Sequence, residues 1–153
     1  MSSDRRGLLS AALASISTAL ALGATPASAE AQRSVPDRRK VVYHLADLDK
    51  VAFVLGNIQN HFDGMGGPDK VTIALVIHGP ALRAFHAASA NPDVKQRVAT
   101  YAGAGTQLVA CGHTMKAQEI TLKDLLPGFV AADEGGVVRI AELQSQGYVY
   151  LRP

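Results

Sequence analysis

The sequence predicts an α/β sandwich built on a mostly parallel sheet, and three observations carry that prediction. Short β-branched apolar runs alternate with helical stripes from Val41 to Leu151 without a long-range repeat. The run Val71-Thr72-Ile73-Ala74-Leu75-Val76-Ile77 is nearly continuous in apolar residues, as befits a strand buried on both faces of a parallel sheet. Composition points the same way: of 153 residues 48% are hydrophobic and 18% charged, with a formal net charge of +2, one Cys and no Trp. Such a chain is too apolar for disorder, too poor in Cys for a disulfide framework and too near neutral for the basic surface of a nucleic-acid binder.

The first 29 residues read as a leader. Arg5-Arg6 precedes an uncharged run from Leu8 to Leu22, and Ala27-Ser28-Ala29 supplies small residues for a signal peptidase. The run is shorter than the roughly twenty residues that span a bilayer, so cleavage is expected and no membrane span after it. Ser3-Asp4-Arg5-Arg6-Gly7-Leu8-Leu9 also resembles a twin-arginine export motif, which leaves the route open. The expected location is periplasmic or secreted. A 153-residue chain less a 29-residue leader leaves 124 residues, enough for one domain, with residues 30–39 as a charged linker and 40–153 as the folded part.

Within that part each element has its own signal. Val41 to Ala46 reads as a strand, with Asp47 as an N-cap for the next segment. Val51, Val54, Leu55, Ile58 and Phe62 recur at helical spacing until Gly64-Met65-Gly66-Gly67-Pro68 stops them. Strand 71–77 follows, and His78-Gly79-Pro80 turns into a short helix with Pro80 at its first position. Asn91-Pro92 caps a further helix whose stripe is Val94, Val98 and Tyr101 and whose end is marked by Gly103 and Gly105. Gln107 to Ala110 is a third strand running into Cys111-Gly112-His113-Thr114, and Phe129 to Ala132 is a short fourth. Asp133-Glu134-Gly135-Gly136 opens the last helix, with Val137, Ile140, Ala141 and Leu143 apolar, and Tyr148 to Leu151 is a fifth strand.

Ligands bind such sheets beyond the carboxyl ends of the strands, so the informative loops follow Ala46, Ile77, Ala110 and Ala132. They hold Asp47, His78, Cys111, His113 and Asp133-Glu134. Cys111 is the sharpest candidate, because a strand end before a helix start offers backbone N–H groups that favour a thiolate. Its alternative is a small buried hydrophobe. With no second Cys there is no intramolecular disulfide and no C-x-x-C chemistry. His113 and His78 could support a thiolate as acid–base or electrostatic groups, or serve as a solvated loop residue and a turn residue. The trio His78, Cys111 and His113 has zinc-ligand residue types but no recognisable ligand spacing, so no metal is expected. His44 lies inside a strand and His61 and His86 near helix ends, where structural or solvated roles are expected. Gly64 to Gly67 follows a helix and lacks Gly-Lys-Ser/Thr, and no Ser sits in a G-x-S-x-G turn, so neither a phosphate-binding cofactor nor a serine hydrolase is expected.

Four segments, Val76-Ile77-His78-Gly79-Pro80-Ala81-Leu82, Leu108-Val109-Ala110-Cys111-Gly112-His113-Thr114, Leu125-Leu126-Pro127 and Leu143-Gln144-Ser145-Gln146-Gly147-Tyr148-Val149-Tyr150, together resemble the DsrE/DsrF-like proteins of sulfur metabolism. The resemblance covers about Lys40 to Pro153. It implies a three-layer α/β/α sandwich with a five-stranded sheet, assembly into trimers or hexamers, and a Cys at the position of Cys111 that carries sulfur as a persulfide. The partners it implies are a small sulfur donor and an acceptor thiol protein, with no cofactor. The alternatives are a non-catalytic oligomeric module that binds a ligand or protein, and a single-thiol redox sensor.

Overall fold

The computed structural model describes residues 38–153; the expected leader and most of the expected linker lie outside the described residues. The strands are β1 (Arg39–Leu45), β2 (Val71–Ile77), β3 (Gln107–Cys111), β4 (Phe129–Ala132) and β5 (Val149–Leu151). The helices are α1 (Val51–Met65), α2 (Pro92–Gly103), α3 (Gly112–Ala117) and α4 (Gly136–Ser145). Short 3₁₀ turns at Leu48–Lys50, Pro68–Lys70, Gly79–Phe85 and Leu122–Asp124 complete the connections. β1 begins at Arg39, so the end of the expected linker belongs to the sheet.

All pairings are parallel, in the order β4-β3-β2-β1-β5. The chain steps from β1 to β4 in one direction, then crosses back to place β5 on the far edge. Parallel crossovers are right-handed, so a reversal of direction must move the connecting helix to the opposite face. That constraint puts α4 alone on one side of the sheet and every other helix on the other.

The two faces differ accordingly. Val41, Tyr43 and Leu45 of β1 and Val71, Ile73, Leu75 and Ile77 of β2 join the larger core with α1, α2 and the Gly79–Phe85 turn. Val42, Ala74, Val76, Val109 and Ala132 face the other way and meet Ile140 and Leu143 of α4. β2 is thus buried on both sides, as its unbroken apolar run requires. On α1 the five residues of the expected stripe are all buried, and Gly66 ends the helix in the left-handed conformation (φ 84°). Asn91 caps α2, its side-chain oxygen accepting from the Asp93 N–H at 2.9 Å.

One sequence expectation is corrected. Asp47 makes no capping bond: α1 starts only at Val51, beyond its reach, and its carboxylate meets Arg152 at 3.4 Å. Val137 is 67% exposed, because the buried stripe of α4 runs through Gly136, Ile140 and Leu143 and leaves position 137 about 100° away around the helix. Among the described residues no helix is long and apolar enough to cross a membrane.

The hydroxyl of fully buried Tyr101 donates to the Leu55 carbonyl at 2.6 Å, tying α2 to α1. Tyr101→Phe is expected to cost about 1–2 kcal/mol. Urea unfolding should show a lower midpoint at unchanged slope.

Candidate functional site

Cys111 ends β3, and the chain leaves that strand toward α3 on one face while neighbouring β4 leaves toward α4 on the other. Adjacent strands whose connections part in opposite directions open a crevice at their carboxyl ends, the usual place for a ligand in such sheets. Cys111 lies at that switch point, with 7% of its surface exposed. Gly112 is required beside it: a β-carbon there would come within 2.9 Å of the Ala132 carbonyl oxygen and the Asp133 Cα, backbone atoms that cannot give way.

Two opposing effects set the state of the thiol. Burial, the larger single contribution, raises its pKa. Hydrogen bonds from the Thr114 hydroxyl and from the backbone N–H groups of Gly136, Thr114 and His113 act together against it, and the net result lies below the value of an ordinary cysteine. These donors come from the first turns of both α3 and α4, so two helix N-termini face one sulfur. Gly136 packs tightly: a β-carbon on it would lie 3.2 Å from the Cys111 Cβ and 3.4 Å from the His78 Cβ.

The Thr114 hydroxyl is itself held in place. Its oxygen accepts from the Gly79 N–H at 2.9 Å, which leaves its single proton for the sulfur. The Gly79 carbonyl accepts from Gln118 Nε2 at 3.0 Å, and Gln118 Oε1 accepts from His86 Nε2 at 2.9 Å. His86 is therefore structural, as is His61, which bonds the Tyr43 hydroxyl at 2.9 Å.

The structure brings His78 and Cys111 together, each one residue beyond the paired Ile77 and Ala110 on neighbouring strands. His113 contributes its backbone N–H, while its exposed ring lies against Gly135, where a β-carbon would sit 2.9 Å from ring Cδ2. Asp133 and Glu134 border a separate cavity of about 350 Å³ beside β4, with Arg139 and Glu142. Among the described residues no group of three His, Cys, Asp or Glu side chains converges as a metal site.

Sequence reasoning missed His44. Its Nδ1 pairs with the Tyr150 hydroxyl at 2.6 Å, and its Nε2 contacts Nε2 of His78. Partial burial first, then the neighbouring His78 and Arg152, lower its pKa to about 4 against a weaker opposing effect of Asp47. Burial, then Arg152, likewise lowers that of His78. The available signal was alternation: Val42 and His44 share the α4 face of β1, as Val76 and His78 share that of β2.

Fold and site define a small all-parallel α/β protein with one hydrogen-bonded thiol at its topological switch point. The sequence matches the DsrE/DsrF-like family over residues 42–153, and the chain belongs to that family. Membership suggests a sulfur-relay-like protein. Among solved structures it is similar to MTH1491, a protein of unknown function from Methanobacterium thermoautotrophicum, at 26% identity and a TM-score of 0.66, covering 75% of this chain and 99% of that one. It is also similar to the YchN protein from E. coli at 10% identity and a TM-score of 0.53, covering 74% and 99%, a likeness of fold. No curated protein matches the sequence.

Two outcomes are expected. Thr114→Val should slow alkylation of Cys111 near neutral pH by up to about tenfold and move its pH profile upward. For stability, an unfolded His titrates near pH 6.5 and folded His44 at about 4, so in between the unfolded chain binds more protons. Stability should therefore fall as pH drops through that window, and urea midpoints of His44→Gln should fall less than those of wild type.

Proposed function

We propose that the protein is an exported sulfur carrier or sulfurtransferase-like protein that holds sulfane sulfur as a persulfide on Cys111. The observation that carries this reading is the position of the one thiol between the starts of α3 and α4, with Gly136 packed against its β-carbon, where neighbouring Thr114, Gly136 and His113 lower its pKa despite burial. In loading, the Cys111 thiolate attacks the terminal sulfur of a donor R–S–S–H. The Sγ–S bond forms, the donor's S–S bond breaks, and its electron pair leaves on R–S⁻. In discharge an acceptor thiol attacks the outer sulfur and the pair returns to Sγ. Neither step changes the total oxidation state, so neither requires a redox cofactor.

His78 stands beside the sulfur to exchange protons with the departing or incoming thiol, and His113 helps to hold the sulfur's charge through its N–H. Export rests on Arg5-Arg6, the uncharged run 8–22 and Ala27-Ser28-Ala29. Assembly into trimers or hexamers is supported by the family and by the exposed apolar Val130, Val137 and Val138 on and beside the single-helix face. The low exposure of Cys111 favours a second reading, an inert thiol in a non-catalytic binding module.

Incubation with a low-molecular-weight persulfide followed by intact-mass measurement separates them. Wild type should gain one sulfur atom, lost again on reduction, and Cys111→Ser should gain none. A wild type that gains nothing, or a Cys111→Ser variant that gains as much, would overturn the carrier reading.

A further inference from the structure

The carrier reading leaves one proton unaccounted for. When an acceptor R–S–H takes the outer sulfur from Cys111–S–S–H, the products are R–S–S–H, the Cys111 thiolate and a proton that must leave a crevice where the thiol is almost fully buried. A diagonal row of side chains climbs the α4 face of the sheet toward that point. Tyr150 of β5 is in register with Val42 of β1, and His44 lies two residues further along β1. His44 is in register with Val76 of β2, and His78 again lies two residues further. The row is hydrogen-bonded throughout, from the Tyr150 hydroxyl through both nitrogens of His44 to His78, and ends beside Cys111 across Gly136.

We propose that His78, His44 and Tyr150 are a proton conduit between the sulfur at Cys111 and solvent, a role that rests on the carrier reading. Each member can donate and accept at once. In discharge His78 takes the proton of the acceptor thiol at Nδ1 and releases the one on Nε2 to His44. His44 passes its Nδ1 proton to the Tyr150 oxygen, and Tyr150, 38% exposed, gives its own to water. Every residue ends neutral, in the other tautomer or rotamer, and the reverse shift protonates the departing donor thiolate during loading. The charged groups acting on both rings are Arg152 and Asp47, which pair with each other at 3.4 Å. Partial burial and Arg152 outweigh the opposing effect of Asp47 and disfavour a standing imidazolium, so the proton has to pass through.

The test uses a reaction that does not depend on persulfide loading. Cys111 is converted to its methyl mixed disulfide, and a second thiol then releases it by attack on the methyl sulfur. An aliphatic thiol, mostly protonated at neutral pH, must lose its proton; an aromatic thiol, already ionised, need not. Tyr150→Phe and His44→Gln should slow release by the aliphatic thiol about tenfold or more while release by the aromatic thiol stays at the wild-type rate. Wild-type rates with the aliphatic thiol in both variants would overturn the proposal. So would equal slowing with both thiols, the mark of a merely structural role. Because the assay never requires sulfane sulfur, its failure is distinguishable from failure of the carrier reading, which the mass measurement reports.

Discussion

Everything distinctive about this molecule depends on the convergence of two helix starts on the strand end that carries Cys111. That convergence follows from chain topology. Because the step from β4 to β5 runs against the direction of the earlier steps, a right-handed crossover must send α4 to the other side of the sheet, so α3 and α4 begin at neighbouring strand ends and diverge. The first turns of both helices have unpaired N–H groups, and the strand-end cysteine is where they meet. A longer β4–α4 loop, or a side chain at Gly112, would keep the two starts apart.

Around the sulfur two hydrogen-bonded arms divide the work. The arm from His86 through Gln118 and Gly79 orients Thr114 and so fixes the direction of its hydroxyl. The row from Tyr150 through His44 to His78 crosses the opposite side of the sheet and reaches solvent. The first helps to fix charge at Sγ; the second offers a route for protons. They meet at the consecutive residues His78 and Gly79, just beyond the end of β2.

Much of this was legible in the sequence because local signals and global fold agree. The unbroken run Val71–Ile77, the stripe on α1 and the Asn91-Pro92 cap each require one kind of element, and each forms it. Cys111 and His78 could be placed on the same rim by the strand-end rule alone. What the sequence concealed are relations between distant elements. His44 and Tyr150 are 106 residues apart, and nothing short of the register of β5 against β1 makes them neighbours. The orientation of α4 was hidden for the same reason: its apolar residues do not reveal whether Gly136 or Val137 faces the sheet until Cys111 and His78 are seen to leave room only for a glycine. Asp47 precedes a 3₁₀ turn and not the first turn of α1, a distinction that its residue type does not carry.

The most direct measurement is the pH titration of thiolate absorbance in the ultraviolet for the wild-type protein, with Cys111→Ser as the blank. With one cysteine in the chain the difference spectrum belongs to Cys111 alone. The midpoint is expected below that of an ordinary cysteine. A midpoint at or above it would mean that burial outweighs the N–H groups, and would contradict the thiolate on which sulfur carriage depends.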